Sequence, residues 1–148
     1  MSYNLQVSCC TGELQTIRDF VYDKLKKYSL SEVVLNQLIL AVDEICANLM
    51  IHSHDCNPTH TIELTILVKK SGEIIFEIYD QGKGFDLPAY REPCIKDIIR
   101  KRKKGGIGLL LVKRIMDRIE YEYSDETQRN VYRLQKFSVT TPQEALPK

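Results

Sequence analysis

Apolar residues recur at helical spacing from about Glu13 to Tyr28, where Leu14, Ile17, Phe20, Val21 and Leu25 share one stripe. A looser alternation over residues 3–8 comes before it and predicts an edge strand. Ser29-Leu30-Ser31-Glu32 then has the form of a capping box. The helix it opens runs to about His52, with Leu35, Leu38, Ile39, Val42, Ile45, Cys46 and Leu49 on one stripe. Beyond Pro58 the period changes to two. Thr61–Val68 and Glu73–Tyr79 alternate around Ser71-Gly72 and predict a β-hairpin with Ile62, Leu64, Ile66 and Val68 inward. Asp80 stands at the end of the second arm. Phe85 to Lys104, with Pro88, Pro93 and a basic run, reads as a mobile loop holding one short helix near Ile95–Arg100. Gly106 opens a further helix to about Asp117, with Ile107, Leu110, Leu111, Ile115 and Met116 as its buried contacts. Strands Ile119–Ser124 and Val131–Phe137 flank a polar turn at Asp125–Asn130. The prolines after Thr140 and the lack of periodicity predict a frayed tail.

This order predicts a two-layer α/β sandwich: a mixed, mainly antiparallel sheet with three helices on one face. Residues 1–138 form the domain and 139–148 the tail.

One helix departs from simple amphipathicity. At about 100° per residue, Glu44 and Asn48 fall opposite the apolar stripe. Their neighbours there are Leu40, Ala41, Ala47 and Ile51 rather than lysines. Such a helix is covered on both sides, by the sheet on one and by another element above Glu44 and Asn48. Polar groups buried in that upper face need partners. Hydrogen-bonded core residues would satisfy this as well as a binding site would, so the pair alone does not decide.

Composition narrows the classes. At 148 residues and 43% hydrophobic, the chain suits one well-cored domain. A formal net charge of +1 gives no overall pull toward nucleic acid or an acidic membrane. No long apolar run or signal-peptide pattern is visible, which places the chain in the cytoplasm. Five cysteines, two of them adjacent at Cys9-Cys10, suit reduced thiols better than a disulfide framework. His52, His54, Cys56 and His60 lie close together, but their spacing matches no common zinc site. They read as a polar helix end. The run Arg100-Lys101-Arg102-Lys103-Lys104 has no interleaved aromatics, which argues against direct nucleic-acid binding.

Three familiar nucleotide motifs are absent. No glycine-rich stretch ends in Gly-Lys-Ser or Gly-Lys-Thr. Gly82-Lys83-Gly84 lacks the third glycine of the dinucleotide fingerprint, and there is no His-Arg-Asp kinase loop. What the chain does contain is ordered: Glu44-x-x-x-Asn48 continuing to His52, then Asp80-x-Gly82-x-Gly84, then Gly106-Ile107-Gly108-Leu109 opening a helix. These boxes resemble those of the gyrase, histidine-kinase and MutL ATPases, which share the Bergerat ATP-binding fold. Within that group the chain is most similar to the anti-sigma-factor serine/threonine kinases of the RsbW and SpoIIAB type. The likeness spans roughly Leu14 to Phe137.

The resemblance implies ATP and Mg²⁺ as ligands. By it, Asn48 offers a carboxamide oxygen to Mg²⁺, and Glu44 is the general base that takes a proton from the attacking hydroxyl. Asp80 accepts from the adenine amino group, and Gly82 and Gly84 let the backbone pass close to base and sugar. Gly105, Gly106 and Gly108 bring helix-start N–H groups to the phosphates, and Lys104, ending the basic run, neutralises charge beside them. Arg18 matches an arginine through which the family grips its sigma factor. One departure stands out: the family's Gly-Thr pair before the last strand is Arg129-Asn130 here. Asn130 donates and accepts like a hydroxyl, so the adenine site is expected to survive with altered affinity.

By resemblance, then, the function is ATP- and Mg²⁺-dependent phosphorylation of a STAS-type anti-anti-sigma protein, together with sequestration of a sigma factor. Homodimerisation through the first strand or helix belongs to the same likeness. Two other readings stay open at this level: a docking module that holds ATP without catalysis, and a plain ATP hydrolase.

Overall fold

The computed structural model describes residues 1–81 and 104–137. Five strands form one sheet: β1 (Ser2–Ser8), β2 (Thr61–Val68), β3 (Ile74–Asp80), β4 (Arg118–Ser124) and β5 (Arg129–Lys136). Their spatial order is β1-β2-β3-β5-β4. Where a mixed sheet was expected, every one of these pairings is antiparallel. The helices are α1 (Leu14–Leu25), α2 (Glu32–Asn48) and α3 (Lys104–Ile115).

The register explains which residues face inward. Leu64 lies opposite Ile78, Ile66 opposite Phe76, and Phe76 opposite Leu134, so these side chains share one face. They form a single core with Ile17 and Val21 of α1, Leu38, Val42 and Ile45 of α2, and Val112 of α3. Burying each large apolar side chain there contributes about 1.5–3 kcal/mol. The opposite face carries cross-strand ion pairs, Arg129 to Glu63 at 2.6 Å and Arg133 to Glu77 at 2.9 Å.

Local signals set the element boundaries. Ser31, not Ser29, caps α2, accepting from the Val34 N–H at 3.1 Å, so the predicted box is replaced by a single cap. Gly72 turns the β2–β3 hairpin with φ 93°. After Asn48 the helix widens into a π turn, Leu49–Ser53, instead of running on as α-helix to His52. Helix and turn together, Glu32–Ser53, are long and apolar enough to cross a membrane, but half of that stretch is buried inside the fold. The buried side of α3 also differs from expectation. Leu109, Val112, Ile115 and Met116 face the core, whereas Leu111 is 39% exposed and Leu110 only half-buried. The loop and short helix expected over 85–103 and the tail from 138 lie outside the described residues.

Candidate active site

On α2, Glu44 and Asn48 stand one turn apart beneath α3. The Asn48 side chain donates from Nδ2 to the Glu44 carbonyl at 2.8 Å. This tethers the carboxamide nitrogen to the helix and turns Oδ1 away from it. No hydrogen bond reaches Oδ1 from any described residue, although Asn48 is only 7% exposed. A neutral oxygen with free acceptor capacity is the kind of donor a hard cation takes as one ligand among phosphates and water. The site therefore fits Mg²⁺.

The Glu44 carboxylate lies against the start of α3. A Cβ built on Gly108 would come within 2.1 Å of Glu44 Oε2, so α3 is the element expected above this helix. Burial, and then the charge of neighbouring Asp43, push the Glu44 carboxyl above the ordinary carboxylate range. Asp43 is itself pushed up by burial, partly offset by Arg18, whose Nη1 donates to its carboxylate at 3.0 Å. Arg18 thus sits on α1 in an ion pair beside the acid, with 39% of its side chain exposed. Lys104, Gly105 and Gly106 lie in the first turn of α3, which begins two residues earlier than expected. The N–H groups of such a turn lack intrahelical acceptors and favour an anion. Gly82 and Gly84 lie outside the described residues.

Asp80 closes β3 directly opposite Asn130 on β5. Asn130 Nδ2 donates to Asp80 Oδ1 at 3.0 Å, while its own Oδ1 accepts from the Tyr121 hydroxyl. A further partner escaped the sequence reading. His54 Nε2 lies 2.7 Å from Asp80 Oδ2, with the two side chains 3% and 0% exposed. His54 Nδ1 is in turn 3.0 Å from His60 Nδ1. Of the cluster read as a polar helix end, His54 is therefore buried against Asp80, whereas His52, Cys56 and His60 are exposed. The signal was the π turn, which periodicity does not reveal. His52, the residue that matches the family motif, is exposed.

Among the described residues no group of three or more His, Cys, Asp or Glu is arranged to hold a metal. Cys9, Cys10, Cys46 and Cys56 are free thiols. Burial, then the charges of Asp80 and Cys56, push the Cys9 thiol up to about 11, which keeps it neutral beside the carboxylate. A cavity of about 950 Å³ opens next to the histidines, lined by Ser53, His54, Asn57, His60 and Gln81 among others. It reaches none of Glu44, Asn48 or Asp80, and so it is not the site these residues form.

Comparison with known proteins matches this geometry to a family. The model described as "Histidine kinase-like ATPase domain" matches residues 10–136. The serine-protein kinase RsbW of Halalkalibacterium halodurans is 32% identical over 94 residues, covering 58% of this chain and 54% of that protein. The chain thus spans little more than half the length of that relative. The anti-sigma F factor of Heyndrickxia coagulans is 26% identical over 109 residues, 73% of this chain and 71% of its own. Among solved structures, the RsbU and RsbW domains of a Mycobacterium tuberculosis protein superpose with a TM-score of 0.62 at 9% identity, over 93% of this chain and 32% of that one. The SiaB–SiaC complex of Pseudomonas aeruginosa superposes with a TM-score of 0.58 at 11% identity, over 92% and 88%. At such identities these structures speak for the fold alone.

Proposed function

The chain belongs to the histidine kinase-like ATPase family, and on that premise we propose that it is an ATP- and Mg²⁺-dependent serine/threonine protein kinase of the anti-sigma type. The observation that carries the reading is the placing of the Glu44 carboxylate at the glycine-rich start of α3, one turn from a carboxamide oxygen that no described residue hydrogen-bonds. The start of α3, with Lys104, Gly105, Gly106 and Gly108, holds the triphosphate. Gly82 and Gly84 let the chain pass the base and sugar. Asn48 supplies one oxygen to Mg²⁺, whose charge offsets that of the phosphates. Glu44 takes the proton of a serine or threonine hydroxyl as its oxygen bonds to the γ-phosphorus and ADP departs. A base raised by burial stands closer to neutral pH, where proton acceptance is most effective. Asp80, steadied by Asn130, receives the adenine amino group and selects ATP over GTP.

The substrate in this reading is a STAS-type anti-anti-sigma protein, and a sigma factor docks through Arg18. The protein works in the cytoplasm, as a homodimer. Support comes from its relatives, a serine-protein kinase and an anti-sigma factor. The deciding experiment incubates the chain with radiolabelled ATP, Mg²⁺ and the STAS protein encoded nearest to it. Label on a serine or threonine, absent with Glu44→Gln, is the expected result. ATP binding without transfer would leave a docking module, and phosphate release without a labelled protein would leave a hydrolase.

A further inference from the structure

We propose that His54 is a positioning residue for base discrimination, holding the Asp80 carboxylate in the orientation that receives the adenine amino group. The inference rests on the ATP reading above and adds to it a residue that none of the family boxes contains.

Three observations carry it. Asp80 is clamped from two elements at once. His54 at 2.7 Å holds one carboxylate oxygen from the end of α2, and Asn130 at 3.0 Å holds the other from β5. With one donor on each oxygen, coming from different parts of the chain, the plane of the carboxylate is set. With both side chains almost wholly buried, the His54–Asp80 contact is protected from exchange with solvent.

The backbone is distorted at the place that delivers His54. Continued at 3.6 residues per turn, the stripe through Ile45 and Leu49 would present His52 or Ser53 to the sheet. The π turn delays this: the His54 N–H bonds the Leu49 carbonyl at 3.1 Å and the Cys56 N–H bonds that of Met50 at 2.7 Å. Asp55 and Cys56 then follow with φ of 49° and 54°. Two successive non-glycine residues in the left-handed region are strained, and such strain concentrates where geometry serves a site.

His60 fixes which nitrogen donates. With a carboxylate at Nε2 the His54 proton lies on that nitrogen, and Nδ1 shares a hydrogen bond with His60 Nδ1 at 3.0 Å. The rings meet edge to face at 5.1 Å, and Asn57 ties the intervening loop to both backbones.

The test compares ATP with inosine triphosphate, which carries a carbonyl in place of the amino group, by calorimetric titration of the full chain with Mg²⁺. Wild type is expected to prefer ATP. His54→Leu should lose about tenfold of that preference, the worth of one charge-assisted hydrogen bond, with inosine triphosphate affinity unchanged. His54→Gln, whose amide sits where Nε2 does, should restore it. His54→Asn keeps the polarity but is too short to reach Asp80, and it serves the same comparison if the leucine variant does not fold. An unchanged ratio of the two affinities in His54→Leu or His54→Asn, even with a lowered melting temperature, would make His54 merely structural and overturn the proposal. Failure of wild type to distinguish the two nucleotides would instead overturn the ATP reading, and this inference with it.

Discussion

Gly108 makes room for Glu44. A side chain on that glycine would lie 2.1 Å from Oε2 and 2.9 Å from Cδ of the glutamate, so the carboxylate occupies the volume a Cβ would need. What would be struck is the far end of a flexible side chain, which can swing aside. Gly108→Ala should therefore leave stability unchanged or raise it by up to about 1 kcal/mol, since alanine is the better helix former. Phosphate transfer should nevertheless fall by about a hundredfold, because the base is misplaced. Thermal melts beside a transfer assay give both numbers; full activity would mean that Glu44 does not act from this position.

Replacing the base outright separates chemistry from binding. Glu44→Gln keeps the size and hydrogen-bonding reach of the side chain but cannot take a proton. Transfer should drop by about 10²–10⁴, with ATP affinity within about threefold of wild type. Matched titration and single-turnover experiments would show it.

Asn130 holds Asp80 while accepting from Tyr121. Asn130→Ala removes a donor to a buried carboxylate and should cost about 1–3 kcal/mol of stability, together with ATP affinity. Asn130→Thr, the family's own choice, should recover part of both. Denaturant unfolding and nucleotide titration of the two variants check the order.

Arg18 is paired but not buried. Its bonds to Asp43 and Gln15, each 3.0 Å, lie on a partly exposed surface, so Arg18→Ala should change stability by less than about 1 kcal/mol. Loss of sigma-factor binding at an unchanged melting temperature is the expected outcome in a pull-down.

The open face of the sheet has its own pH dependence. Hydrogen bonds from Asn4 at 2.8 Å and from Arg129 at 2.6 Å hold the Glu63 carboxyl below the ordinary glutamate range. A depressed folded-state pKa stabilises above the unfolded value, and the gain disappears as pH falls through the folded value. The stability difference between wild type and Asn4→Ala should therefore be full near about pH 7 and shrink as pH falls below the ordinary glutamate value of about 4.3. Urea unfolding at a series of pH values measures it.

Much of this was legible in the residues, and the failures have physical causes. Period located the three α-helices and the five strands to within a few residues, because one-sided burial imposes 3.6 or 2. Glu44 and Asn48 stood out as polar positions on an apolar upper face, and Asp80 as a carboxylate at a strand end. Within Leu109-Leu110-Leu111 the residue types are identical, so only the position of α3 against Glu44 could select Leu109 and reject Leu111. Ser29 and Ser31 are equivalent as letters, and the turn before α2 chose between them. His54 was hidden for a different reason: a single widened turn changes which residue faces the sheet, and nothing in the alternation of apolar and polar positions encodes it.

Asp80 and Asn130 are 50 residues apart in sequence and direct neighbours across a strand pair. The chain leaves the site at one of them and returns at the other, so everything between hangs from a closed ring. For a flexible ring, doubling the enclosed length adds only about 0.6 kcal/mol to the closure penalty. α3 and β4 lie inside that ring and pack into the core, so only a change of length outside those two elements meets so small a penalty. Such a change can suit a new partner while the strand register keeps the carboxylate where it is.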